Sequence, residues 1–369
     1  MRFAEVIGQQ AVKDDLHQMV AADRLPHALL FLGPGGSGKL ALALALAQYV
    51  LCSNPSEEEA CGECAECSKV EKLIHPDLHF SFPTVGTNVT SDTFLSQWRE
   101  ALLENPYMDV NEWLQRIGAE NKQGNINKQE CVNIIHKLSL KTFTTNRKIL
   151  IMWLPEYLGK EGNRLLKLIE EPPEQTLFIL VAENQELILN TILSRCQIVK
   201  VNGLADETIM EALKALENVD QSTAATAAQL SDGNYNEALK FARSKQNDHA
   251  QLFLDWLRLC YQGNGVKLVS WAEKIATLGR ENQKQFIQYA LHFLREYLVL
   301  KMTEKEIIRL QGTELETAKK LMPLIAFDQI EKIVNLLSEQ AYYVERNANP
   351  KVLFLSASIE VNRILKRRQ

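Results

Sequence analysis

The sequence has no apolar run approaching the roughly 20 residues that a membrane-spanning helix needs, so it offers no span to propose. Its opening residues, Met1-Arg2-Phe3-Ala4-Glu5, lack the charged-then-apolar order of a secretory signal, and a cytoplasmic setting is the expectation. It also lacks a basic excess. Lys and Arg total 41 against 46 Asp and Glu, a formal net charge of −5, which excludes a chain-wide electrostatic footprint for nucleic acid. The short tail Lys366-Arg367-Arg368 does not alter that and reads as a solvated chain end. No internal repeat or low-complexity tract is present. Cysteine is sparse outside residues 52–67, where four of the seven lie, so a disulfide framework is not indicated. What remains is the composition of a globular protein, 46% hydrophobic and 24% charged, whose 369 residues suit two or three domains.

The pattern along the chain alternates strand and helix as far as Val201. Val12, Leu16, Met19 and Val20 recur at helical spacing, and Ala28–Leu32 is a short apolar run of the buried parallel kind. Leu40–Val50 alternates Ala and Leu, yet both are strong helix formers and no β-branched residue occurs before Val50, so helix is predicted. Residues 80–128 are punctuated by Pro83, Gly86, Pro106, Gly118 and Gly124. They read as an irregular polar insertion with helix near Phe94–Leu103 and Trp113–Ile117. Helix resumes over Glu130–Leu140, and Lys148–Leu154 is a second strand. A helix over Asn163–Glu170 stops at Pro172-Pro173. Thr176–Val181 and Gln197–Val201 complete four strands, with a helix near Leu187–Ser194 between them. This implies an α/β domain with a parallel sheet over 1–202. Residues 203–248 form a small helical unit with a turn at Gly233, and 249–369 a second helical domain. Its apolar faces are Leu252, Phe253, Trp256, Leu257 and Cys260; Phe286, Ala290, Phe293, Leu294 and Tyr297; and Ile330, Ile333, Val334 and Leu337. The polar stretch Tyr342–Pro350 caps or joins helices.

Gly33-Pro34-Gly35-Gly36-Ser37-Gly38-Lys39 fits G-x-x-x-x-G-K between a strand and a helix. Glycines let the backbone amides face phosphate oxygens, the helix N-terminus favours anions, and Lys39 reaches the outer phosphates. The next residue should carry a hydroxyl for magnesium, and here it is Leu40. The acidic pair expected at the end of a buried strand is missing too. Ile151-Met152-Trp153-Leu154-Pro155 leaves only Glu156, a turn residue expected to be solvated. ATP or ADP can still sit on the amides and Lys39, but hydrolysis is not expected.

Cys52, Cys61, Cys64 and Cys67 have the spacing C-x8-C-x2-C-x2-C. Four thiolates close a tetrahedral zinc site with no open position, so the metal would be structural; an iron–sulfur cluster is the competing assignment. Cys131, Cys196 and Cys260 read as small buried residues, and His75 and His79 receive no role. Arg195, in Ser194-Arg195-Cys196 at the end of a helical stretch, has the permanent planar charge suited to phosphate oxygens.

Several of these strings occur together: Val6-Ile7-Gly8-Gln9, the Gly33–Lys39 loop, the cysteine cluster, Asn163-Arg164-Leu165-Leu166-Lys167 with Glu170-Glu171-Pro172-Pro173, and Ile192-Leu193-Ser194-Arg195-Cys196. Over residues 1–202 the chain resembles the clamp-loader branch of the AAA+ proteins, the bacterial DNA polymerase III gamma/tau and delta-prime subunits. The resemblance implies zinc at the four cysteines, a lid at 203–248 and an oligomerising collar at 249–369. It further implies a five-subunit ring with gamma/tau and delta partners that places a sliding clamp on primer–template DNA. In such a ring Arg195 would act in trans on the neighbouring subunit's ATP. Leu40, the missing acidic pair and Asn236, near where motor subunits carry a lid arginine, fit the delta-prime kind better than gamma/tau. An autonomous ATP-hydrolysing motor and a zinc-dependent DNA-binding module are the alternatives. The 80–128 stretch departs from the family's usual length.

Overall fold

The computed structural model describes residues 1–369 except 121, 218, 244–248, 304–309, 311, 347 and 367–369. Residue 248, the expected end of the lid, and Arg367 and Arg368 of the tail fall outside the described residues. The chain forms two compact units, Met1–Ala242 and Arg243–Gln369.

In the first unit the order is α1 (Gln10–Ala21), β1 (Ala28–Leu32), α2 (Lys39–Leu51), α3 (Ala65–Glu71), β2 (Leu78–Ser81), α4 (Leu95–Glu104), α5 (Val110–Arg116), α6 (Lys128–Ser139), β3 (Lys148–Trp153), α7 (Leu166–Glu170), β4 (Thr176–Ala182), α8 (Asn190–Leu193), β5 (Gln197–Lys200), α9 (Asp206–Lys214), α10 (Gln221–Leu230) and α11 (Tyr235–Arg243). The five strands are all parallel in the order β2-β3-β4-β1-β5, which places β1 between β4 and β5. Both faces of the sheet are covered, as parallel sheets require. Leu29 and Phe31 join the core that contains α2, and Leu30 faces Cys131, Ile134 and Leu138 of α6 on the other side. The Ala–Leu run of α2 is helix because it is buried almost all round, where alternation carries no directional information.

The irregular polar insertion is corrected. Residues 78–81 are the fifth strand, paired with β3 from Leu78↔Ile149 to Ser81↔Met152. The stretch that follows supplies core rather than leaving it: Phe82, Trp98 and Trp113 are fully buried. Phe82 stacks on Trp98 at 4.2 Å, Trp113 meets Trp98 edge-on at 5.0 Å, and Trp113 Nε1 donates to Pro83 O at 2.7 Å. The helix predicted at Asn163–Glu170 is shorter. A 3-10 segment, Pro155–Leu165, broken at Gly159 (φ +49°), precedes the five-residue α7.

The second unit is helical: α12 (His249–Gln262), α13 (Gly265–Ala276), α14 (Arg280–Thr303), α15 (Gly312–Leu321), α16 (Phe327–Glu345) and α17 (Pro350–Lys366). Trp256 stacks on Trp271 at 5.6 Å and gives its indole N–H to Ser358 at 2.8 Å, anchoring α12 to α13 and α17. Tyr342–Val344 lie inside α16, so only the few residues before Pro350 join the two helices. Among the described residues no helix is long and apolar enough to cross a membrane.

Candidate functional site

The candidate phosphate loop, Gly33–Lys39, leaves the carboxyl end of β1, where parallel sheets carry their ligand sites. Its glycines are used. A Cβ on Gly33 would fall 1.8 Å from Val201 O, and Gly36 and Gly38 take φ of +63° and +92°. Lys39 is buried and folds back, donating to Pro34 O and to Ser37 Oγ at 3.3 Å. Burial brings its pKa down to about 8, against the pull of Glu183 and Glu156. Leu40 is 4% exposed and packs in the core, so the position after the lysine offers no metal ligand.

Glu156 is not solvated as expected. Its Oε1 accepts from the amides of Glu183 and Asn184 at 2.5 and 2.8 Å, closing the turn at the end of β4. Glu183, missed from the sequence, stands beside the loop, its Oε1 3.2 Å from where a Gly35 Cβ would lie. Burial raises its pKa, Lys39 lowers it, and Glu156 and Asp109 raise it further. A carboxylate ending the strand next to β1 was the available signal. Asn234 Oδ1 would lie 1.7 Å from a Cβ on Gly36, and Tyr235 N donates to Gly36 O at 3.1 Å. The first turn of α11 therefore rests on the phosphate loop. Asn236 is buried and donates to Glu112 at 2.7 Å.

Arg195 follows α8. Its guanidinium donates to Thr191 O at 2.6 Å and Ser194 Oγ at 3.1 Å, and pairs with Glu170 of the Glu-Glu-Pro-Pro string. About a third of the side chain remains exposed.

The ligand atoms of Cys52, Cys61, Cys64 and Cys67 all lie within 4.8 Å of one another. The Cys52–Cys61 and Cys61–Cys67 sulfur separations are 3.4 and 3.9 Å, against roughly 3.8 Å for the edge of a tetrahedron with zinc–sulfur bonds near 2.3 Å. The amides of Cys61, Cys64 and Cys67 point at the sulfurs of Cys52, Cys61 and Cys64, at 3.3, 3.4 and 3.4 Å, and would favour thiolates. The four residues fit a closed, structural metal site. The loop between them is tied to the chain start, where Glu59 accepts from the amides of Phe3 and Ala4 at 3.1 and 2.8 Å. His75 lies outside the cluster. Its Nδ1 accepts from Asp77 N at 3.0 Å, and its Nε2 is 2.7 Å from Glu66, the pattern of a neutral ring giving its one N–H to the carboxylate.

One family profile, described as "DNA polymerase III, delta subunit", matches residues 8–205, more than half of the chain. The chain belongs to that family. Within it, the chain is similar to Bacillus subtilis DNA polymerase III subunit delta', 27% identical over 240 residues, 65% of this chain and 60% of that protein. It is similar to B. subtilis DNA polymerase III subunit tau, 22% identical over 382 residues, 98% of this chain and 61% of that one. It is also similar to the Escherichia coli delta' subunit, 26% identical over 234 residues, 62% and 59% of the two chains. The chain thus spans about six-tenths of the length of these polymerase III relatives, and delta' and tau names match alike. The family resemblance read from the sequence holds.

Proposed function

We propose that this chain is the delta-prime subunit of a replicative clamp loader, a largely non-hydrolysing stator in a pentameric ring with gamma/tau and delta subunits. In this reading residues 1–202 are the AAA+ domain, 203–248 its lid and 249–369 the collar through which it assembles. Zinc at the four cysteines staples the loop before α3. Arg195 lends its guanidinium to the ATP held next door, and the ring loads a sliding clamp on primer–template DNA. The observation that carries the reading is the pairing of losses with a retention: Leu40 is buried where a magnesium ligand belongs and β3 ends at Trp153, followed by Leu154 and Pro155, while Arg195 keeps a partly exposed guanidinium.

Mechanistically, Arg195 needs only to exchange Glu170 for a phosphate oxygen of the neighbour. A trans-acting arginine is worth ~10³–10⁵ in rate at one site, because it stabilises charge that develops in phosphoryl transfer. The test is ATP turnover and clamp loading by the reconstituted ring with Arg195→Ala. Turnover at the adjoining site falls while assembly is intact. Unchanged turnover would reduce the chain to scaffolding, and turnover by the purified chain alone would favour the autonomous-motor alternative.

A further inference from the structure

Residues Asn105–Glu112, between α4 and the first turn of α5, cross in front of the phosphate loop. The Tyr107 ring lies 3.1 Å from where a Cβ on Gly38 would be, and its hydroxyl accepts from Ile7 N at 2.9 Å. The same ring meets Tyr235 edge-on at 4.9 Å and is 6% exposed. On either side, Asn105 Nδ2 donates to Asn236 Oδ1 at 2.6 Å, and Lys240 Nζ donates to Asp109 at 2.7 Å with Glu112 at 3.4 Å and Glu237 at 3.1 Å. One short segment thereby holds the stretch before α1, the phosphate loop and α11 together.

A nucleotide with its phosphates on the loop amides must occupy the space before Gly35–Gly38. Glu183, Asn234 and Tyr107 crowd the loop's Cα positions, 3.2, 1.7 and 3.1 Å from where Cβ atoms on Gly35, Gly36 and Gly38 would lie. The acidic groups there also oppose a polyphosphate. Lys39 turns back to Pro34 O, and Glu183 stands beside the loop with Glu156 and the Lys240-paired Asp109 near it. Like charges in a partly desolvated site repel strongly.

We propose that Asn105–Glu112 is an internal latch on the nucleotide pocket: it fastens α11 to the phosphate loop from within the chain, and nucleotide enters only when the latch is displaced. The latch gives the 80–128 stretch a purpose and deepens the reading of a non-hydrolysing subunit. It does not involve Arg195 or any partner, so it can fail while the trans-acting arginine stands.

The experiment titrates N-methylanthraniloyl-ATP, with and without magnesium, into the full-length chain, Tyr107→Ala, and the packing-conserving double variant Asp109→Asn/Glu112→Gln. Hydrogen exchange is followed in parallel, with the C-terminal helices as the folding control. The wild type binds weakly. Both variants bind about tenfold tighter or more, since apparent affinity scales with the open fraction. They also exchange faster in the first turn of α11 with the control unchanged, and adding Lys39→Ala abolishes the gain. Wild-type binding as tight as the variants' would overturn the proposal. So would folded variants that gain no affinity, an α11 whose exchange does not change, or a gain that survives Lys39→Ala.

Discussion

Between Cys52 and Cys67 the chain buries little of its own: Ser53–Glu58 are all exposed and only Ala60 and Cys67 are inside. Between Phe82 and Ile126 it buries two tryptophans, Tyr107 and Met108 among others. The first stretch cannot offset its ordering entropy by apolar burial and relies on four converging thiols; the second does so with aromatic rings. The difference shows that punctuation by proline and glycine does not tell an excursion from a piece of core. What decides is whether the apolar residues between those marks reach the sheet.

Removing the zinc proposed at the four cysteines should have the largest effect. Structural zinc binding is worth roughly 10–16 kcal/mol in small zinc-finger peptides, and here the loss should be confined to the cysteine loop and the chain start it anchors. Chelation or Cys64→Ser should release the metal and raise hydrogen exchange over 52–67 and 3–7, leaving the sheet protected. Equal protection with and without metal would show that the loop orders itself. Trp113→Ala comes next, at about 3–5 kcal/mol from a lost aromatic and its cavity, measured by denaturant unfolding. A cost below about 1 kcal/mol would return the stretch to a surface excursion.

His79, on β2, gives a pH-dependent contrast. Burial, with Lys137 adding to it, lowers its pKa to about 4. Below about 6.5 the unfolded chain takes up a proton that the folded chain refuses, so stability falls as pH drops from about 6.5 to 4 and levels off beneath. The loss is at most about 3–4 kcal/mol. His79→Gln should flatten that window in urea unfolding at several pH values; an unaltered slope would place the titration elsewhere. Smallest of all, Glu104→Ala breaks an exposed pair with Arg116 on the same stretch and should cost under about 1 kcal/mol. A larger cost would mean that surface charge, not aromatic packing, holds it.

Much of the frame was legible in the sequence because local chemistry determines it. The run Ala28–Leu32, the glycine loop and the Ala–Leu helix each announce themselves within a short stretch, and the four cysteines lie within residues 52–67. β2 did not, since four residues preceded by Pro76 and Asp77 and interrupted by His79 carry no usable period. That strand exists only through its pairing with β3. The surroundings of the phosphate loop were hidden for a similar reason. Tyr107, Glu183 and Asn234 are separated by roughly fifty to eighty residues, and only the parallel crossovers bring them to one loop. Glu156 looked like a turn residue because its partners are amides, which no side-chain pattern reveals.

The central claim is that this chain's own phosphate site is retired while its arginine is in use. The most direct measurement compares Lys39→Ala with Arg195→Ala in the reconstituted ring, scoring ATP turnover and clamp loading at equal assembly. The account predicts that Lys39→Ala leaves both near wild type and that Arg195→Ala lowers both. A collapse with Lys39→Ala and none with Arg195→Ala would contradict it, making the chain a motor in its own right.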